Sequence, residues 1–190
     1  MLLVLNQEQA QSDLDAEVLH CLGCGGQLRP WGFARSRSLR LSGGARTLLR
    51  PRRTRCASCT GTHVLLPAQS PPRHVYAMDV VSQALLASAI GHGYRTISAD
   101  LDVPADTVRY WVRRATGRAE WLRGQAVTMA NACDPMLPAI EPAGSTLADA
   151  LAALGTAAAA LTRRLGPIAP PWQIIAMITR GQLIAPLRSG

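Results

Sequence analysis

YRTISADLDVPADTVRYWVRRATG, residues 94–117, has the spacing of two short helices crossing at a steep angle. Ile97, Leu101, Val103, Val108 and Trp111 fall at the apolar positions that lock a helix-turn-helix. Ser98 is small where the helices must cross closely. Asp102 stands where a left-handed turn residue is wanted, usually Gly, with Asp and Asn the next best tolerated. Pro104 then sets the backbone for the second helix, and Asp106 favours the positive end of its dipole.

The second helix sorts its residues. Val108, Trp111, Val112 and Ala115 recur at i, i+3, i+4 and i+7 and form one buried stripe. Asp106, Tyr110, Arg113 and Gly117 point the other way, flanked by Arg109 and Arg114. A recognition helix needs such a fixed body with side chains that reach base edges and phosphates. An ordinary amphipathic helix with a solvated basic face shares the periodicity. The turn chemistry and the inward spacing favour DNA binding.

Working outward, the chain of 190 residues carries a net charge of +8 and a pI near 10.2, and every basic residue apart from His is Arg. A chain this basic favours a polyanionic partner, and Arg is the better bidentate donor to phosphate and guanine. No segment reaches the roughly 18 consecutive apolar residues of a membrane span. The opening MLLVLNQEQAQSDLDAE has a short apolar run but no basic leader and no small-residue cleavage site. The expectation is a soluble cytoplasmic protein at the nucleoid, not at a membrane, with cysteines reduced and free to hold metal.

Cys21-Leu22-Gly23-Cys24 and Cys56-Ala57-Ser58-Cys59 form two C-x2-C pairs with 31 residues between Cys24 and Cys56. Two such pairs present four thiolates to one Zn2+. Gly25, Gly26 and Gly61 allow tight knuckles whose amides turn toward the sulfurs. The interval suits a β-hairpin with arms at 28–41 and 46–55, a loop at 41–45, and a third strand from Thr62 to Leu66. A redox pair would need a helix start after it, and a zinc deaminase a His-x-Glu that is missing. Four sulfurs leave no open position for water, so the zinc is expected to be structural. His20 and His63 lie beside the pairs and are read as satisfied or exposed histidines, with replacement of one ligand as the alternative.

The arms hold nine arginines: Arg29, Arg35, Arg37, Arg40, Arg46, Arg50, Arg52, Arg53 and Arg55, with Trp31 and Phe33 among them. Such a density calls for a counter-charge, and Arg35, Arg37, Arg52 and Arg53 are read as contacts to the phosphate backbone.

The fold class expected is mainly α with a small β zinc ribbon at the N-terminus, a helix-turn-helix bundle and C-terminal helices. The divisions are a weakly structured start over 1–19, a zinc ribbon over 20–66, and a linker over 67–76. A helix-turn-helix domain over 77–130, a second linker over 131–144 and a helical segment over 145–190 follow. Leu2–Leu5 reads as a short strand and Gln7–Asp15 as mobile. A helix over Ala77–Ile90 ends at Gly91-His92-Gly93 and packs across the helix pair. Ala119–Met129 continues as a helix. Ser145 caps another that stops at Gly166, and a last one runs from Trp172 to about Leu183. Cys133 is read as a small, partly buried residue.

Nothing catalytic is legible. The acids after the helix pair are few, no β-rich stretch carries them, and no Ser/His/Asp set, Walker loop or dinucleotide fingerprint occurs. A binding module without chemistry of its own is expected, not an enzyme.

HCLGCGGQLRPWGFAR, RPRRTRCASCTGTHVLLP, the helix-turn-helix and the closing PWQIIAMITRGQL together resemble small bacterial zinc-ribbon/helix-turn-helix proteins related to transposase N-terminal regions. The resemblance covers most of residues 20–185. It implies double-stranded DNA as partner, read by Ala105, Asp106, Arg109, Tyr110 and Arg113, with Thr107 toward the body. It also implies a recombinase partner chain to supply the missing catalysis, while the C-terminal helices offer a homodimer face. The rival readings are a transcriptional regulator, a zinc-ribbon protein–protein adaptor from another class, and a metal-dependent enzyme, which a zinc with an exchangeable water would revive.

Overall fold

The computed structural model describes residues 1–185. It is a mixed fold. Among the described residues there are seven α-helices, about 47% of the residues are helical, and a small β region is confined to the N-terminal third. The last five residues of the expected C-terminal segment lie outside the described residues.

The β region comprises β1 (Leu2–Val4), β2 (Leu28–Phe33), β3 (Arg37–Arg40), β4 (Arg46–Leu49), β5 (Arg52–Cys56) and β6 (Thr62–Pro67). Strands β1, β6, β5 and β2 form one sheet in that order, with β1 parallel to β6 and the other pairs antiparallel. β3 and β4 form a separate hairpin whose turn uses Gly43 and Gly44 at positive φ. The two long arms expected from sequence are thus each broken in two. Pro51 marks the break on the second arm: it has no N–H for the ladder, and its carbonyl instead accepts the Ala34 N–H at 2.8 Å.

Gln7–Asp15, expected to be mobile, is helix α1. Asn6 caps it by accepting the Gln9 N–H at 2.7 Å, and Ala10 and Leu14, four apart, bury against Val4 and Leu65. Two apolar residues in nine are enough because β1 and β6 supply the other side of that small core.

The rest is helical: α2 (Met78–Ala89), α3 (Tyr94–Leu101), α4 (Ala105–Thr116), α5 (Ala119–Cys133), α6 (Thr146–Leu165) and α7 (Pro171–Ile178). One continuous core joins them. Val81, Leu85, Ile97, Val108, Trp111, Leu122, Leu154 and Ile174 are all within 1% of full burial. Ser145 Oγ accepts the Ala148 N–H and starts α6, as its sequence implies. α5 runs four residues beyond Met129, and α7 stops at Ile178, five short of Leu183, because Arg180 and Gly181 turn the chain at positive φ. Ile174, Ile175, Ala176 and Ile178 of α7 are buried in this chain's own core.

Residues 67–76, read as a stiff linker, are largely packed: Pro67, Ala68, Ser70, Pro71 and Tyr76 are buried. The hairpin is also fastened to the helices. The Arg40 N–H donates to Val75 O at 2.7 Å, and the Ala77 N–H donates to Arg40 O at 2.8 Å. Ser42 Oγ donates to the Asp79 carboxylate at 2.8 Å.

Candidate metal centre and nucleic-acid interface

Cys21 and Cys24 precede β2, while Cys56 ends β5 and Cys59 lies in the β5–β6 turn. Register does the rest: Leu28 pairs with Cys56, so closing the β2–β5 ladder brings the two knuckles together. The four Sγ atoms lie within 4.8 Å of one another, with Cys21–Cys59 at 3.7 Å and Cys24–Cys56 at 3.5 Å. A tetrahedral ion with sulfur at about 2.3 Å needs sulfurs about 3.8 Å apart, and the cluster has that scale. It can hold a metal ion.

The knuckles repeat one design. Cys21 N–H donates to Gly26 O at 2.7 Å, and Cys56 N–H donates to Gly61 O at 2.8 Å. Four residues after each leading cysteine the backbone is left-handed, at Gly25 (φ 71°) and at Thr60 (φ 59°). Gly26 is required by space, since a Cβ there would lie 2.5 Å from Ser58 Oγ and 3.0 Å from Cys56 Sγ.

The amides turn on the sulfurs as the glycines imply. The Gly23 N–H points to Cys21 Sγ at 3.4 Å, and the Cys59 N–H to Cys56 Sγ at 3.5 Å. The Gly23 and Cys24 amides lower the Cys21 thiol below its usual range. Those of Cys59 and Ser58 bring Cys56 down to about 6. The Gly61 amide pulls Cys59 the same way, but the sulfurs of Cys24, Cys56 and Cys21 override it and push Cys59 up to about 12. Four thiolates this close cannot all ionise without a cation between them, and a divalent metal removes that conflict.

Of the two histidines, His63 Nε2 lies 3.2 Å from Cys21 Sγ, close enough to hydrogen-bond a ligand sulfur. Exposed His20 turns to the Val18 carbonyl. Cys133 is half-buried beside Met129 and is not part of the four-cysteine cluster.

In the helix pair, Asp102 adopts φ 50° and ψ 47°, the left-handed conformation its position demands. Ser98 Oγ donates to Val103 O at 2.7 Å across the turn. Trp111, Val108 and Ala115 fix α4 from behind with no exposed surface, and Tyr76 meets Trp111 edge-on at 5.2 Å. Asp106, Arg109 and Arg113 are exposed on the outer face, and Ala105 and Arg114 are half-buried. Tyr110 is half-buried too, between the Arg114 guanidinium at 5.0 Å and the His74 ring at 6.1 Å. Its ring is therefore partly engaged within the chain and less free than Arg109 or Arg113. Thr107 is half-buried.

The arginine run separates into free and engaged members, which sequence could not sort. Arg35 is exposed. Arg37, read as a phosphate contact, is half-buried, and its guanidinium donates to the His74 carbonyl. That bond ties the guanidinium to the chain's own backbone and leaves it less free than Arg35. Arg52 stacks on Phe33 at 4.3 Å, and Arg53 is half-buried on β5.

Arg40 is a residue whose role the sequence reading missed. It bonds the Asp102 carboxylate at 2.9 Å and lies over the Tyr76 ring at 5.4 Å, clasping the hairpin to the α3–α4 turn. Its only sequence signal is its place at the end of the first arm, before the Leu41–Ala45 loop.

The family described as "Domain of unknown function (DUF6431)" matches residues 21–111. The match begins at the first cysteine and ends at the buried Trp111, so it takes in all four sulfurs, both hairpin arms, α3 and the first half of α4. No curated protein and no solved structure matches the chain. Among the described residues no helix is long and apolar enough to cross a membrane.

Proposed function

We propose that the chain is a sequence-specific binder of double-stranded DNA. Cys21, Cys24, Cys56 and Cys59 hold a structural Zn2+, and α3–α4 acts as a helix-turn-helix with α4 in a major groove. The observation that carries this reading is the division of α4: a stripe with no exposed surface behind, and free guanidiniums at Arg109 and Arg113, one turn apart, in front. The zinc supplies rigidity, since a four-thiolate site closes the coordination sphere and leaves no place for substrate. It stiffens the basic β region, whose free arginines, Arg35 among them, contact phosphate. The chain acts by binding rather than by catalysis. Transposition is the setting that the resemblance favours, with a recombinase chain as partner, and transcriptional regulation is the rival.

A random-site selection on the zinc-loaded full chain tests this. It should enrich one short duplex motif, and Arg109→Ala should relax a single position of that motif at a cost of about 1–3 kcal/mol. Enrichment of no motif, or of the same motif by parent and variant with equal affinity, would overturn the reading.

A further inference from the structure

We propose that the open face of β2 and β5 is a second nucleic-acid surface, which takes an unpaired base on Trp31 and its phosphates on Arg29, Arg53 and Arg55. The inference deepens the DNA-binding reading and rests on it for the kind of polymer bound.

Sheet register builds this face. Arg29 pairs directly with Arg55, so both point to the same side, and alternation puts Arg53 beside Arg55. The ladder shifts register between Pro30 and Phe33, and Trp31, inside that shift, is placed with them by its ring against the Arg55 guanidinium. The opposite side carries Leu28, Thr54 and Cys56, all within 2% of full burial, and belongs to the metal knuckles. On the outer side Arg29 is exposed and Arg53 and Arg55 are half-buried. Trp31 sits there 51% exposed, joined to no core cluster, with the Arg55 guanidinium 4.7 Å from its ring centre.

Two features say what belongs on it. Like charges directly opposite on paired strands destabilise a sheet, and Arg29 and Arg55 do this with no acid to relieve them. Residues 18–78 contain ten arginines and no Asp or Glu. The missing partner is therefore an anion from outside. A closed duplex offers phosphates to such a patch but no flat apolar surface to an indole. An unpaired nucleotide offers both, and stacking on an aromatic ring beside guanidiniums is how sequence-tolerant single-strand sites are built. Phe33, at the far end of β2 beyond the register shift, pairs with Arg52 and has the Arg50 and Arg52 guanidiniums 4.6 and 4.3 Å from its ring.

Fluorescence anisotropy of a labelled oligothymidylate of about 12 nucleotides, titrated with the zinc-loaded full chain, tests the proposal. Trp31→Ala should weaken binding at least about 5-fold, the lower end for one stacked base, and Trp31→Phe should recover most of it. Unchanged zinc content and melting temperature in both variants would tie the loss to the ring. Arg109→Ala/Arg113→Ala should leave single-strand binding intact while impairing duplex recognition, so failure of that helix and failure of this face read out separately. Parent-like binding by Trp31→Ala, no binding by the parent, or displacement of the oligonucleotide by polyglutamate at equal charge would overturn it.

Discussion

Asp102 is a residue whose backbone and side chain ask for different substitutions. Its left-handed backbone costs roughly 1 kcal/mol for a residue with a Cβ, and its carboxylate holds Arg40. Because the Asp102 side chain is 88% exposed, the ion pair contributes at most about 1 kcal/mol. Asp102→Ala keeps the strain and loses the pair, so it should destabilise by about 1 kcal/mol, whereas Asp102→Gly should stay within about 0.5 kcal/mol of the parent. A double-mutant cycle of Arg40→Ala with Asp102→Ala, read by urea unfolding, should give coupling of about 0.5–1 kcal/mol. Zero coupling would refute the clasp. The need for a left-handed residue at 102 was legible in the sequence. Its partner, 62 positions away, was not, because nothing local distinguishes Arg40 from the eight other arginines of the arms.

His74 shows the same limit. Burial, and then the nearby Arg37, lower its imidazole below the usual 6.5. The folded state therefore holds the proton less tightly than the unfolded one. The associated stability is complete above about pH 6.5 and is lost as pH falls through that value toward the folded-state pKa. Melting temperatures from pH 7.5 down to 5 should decline in the parent and decline less in His74→Gln. Parallel curves would remove His74 from the account.

At the scale of elements, the knuckles were readable because C-x2-C followed by glycine states a chemistry and a backbone geometry together. Gly26→Ala should push Ser58 and Cys56 apart and cut zinc affinity at least about 10-fold, measured by competition with a chromogenic chelator. Thr60→Gly, which relieves a β-branched residue at φ 59°, should hold zinc as well as the parent or better. The reverse order of these two variants would contradict the geometry. α1 was not readable in the same way. Only Ala10 and Leu14 mark its inner face, and the surface they pack on comes from β1 and from β6, some fifty residues further along. The division of the hairpin arms was hidden for a related reason: Pro51 signals an interruption but not where the freed hairpin docks.

For the whole molecule, the question is whether the β region is a separate bead or a brace for the helix pair. Composition suggested a bead on a Pro-rich tether. Arg40, Ser42 and the buried run around Pro67–Tyr76 make it a brace, since β3–β4 bonds to the segment before α2, to α2 itself and to the α3–α4 turn. Stripping metal should then lower the melting temperature of the helices as well as unfold the sheet, seen in the helical circular-dichroism signal with and without a strong chelator. An unchanged helix melt would make the two parts independent. The β region and the helix pair were each legible in the sequence from local periodicity. Their union was not, because it is made by single long-range bonds.

The central claim is that exposed guanidiniums on a rigid α4 read duplex DNA beside a metal-stiffened basic region. The measurement closest to it is the salt dependence of affinity for the duplex enriched by selection, with the zinc-loaded parent and Arg109→Ala/Arg113→Ala side by side. The account predicts a steep linear fall of log K with log salt for the parent, near −0.9 for each phosphate neutralised, and a weaker, less sequence-selective complex for the variant. A flat salt response, or equal affinity and selectivity in the two proteins, would contradict it.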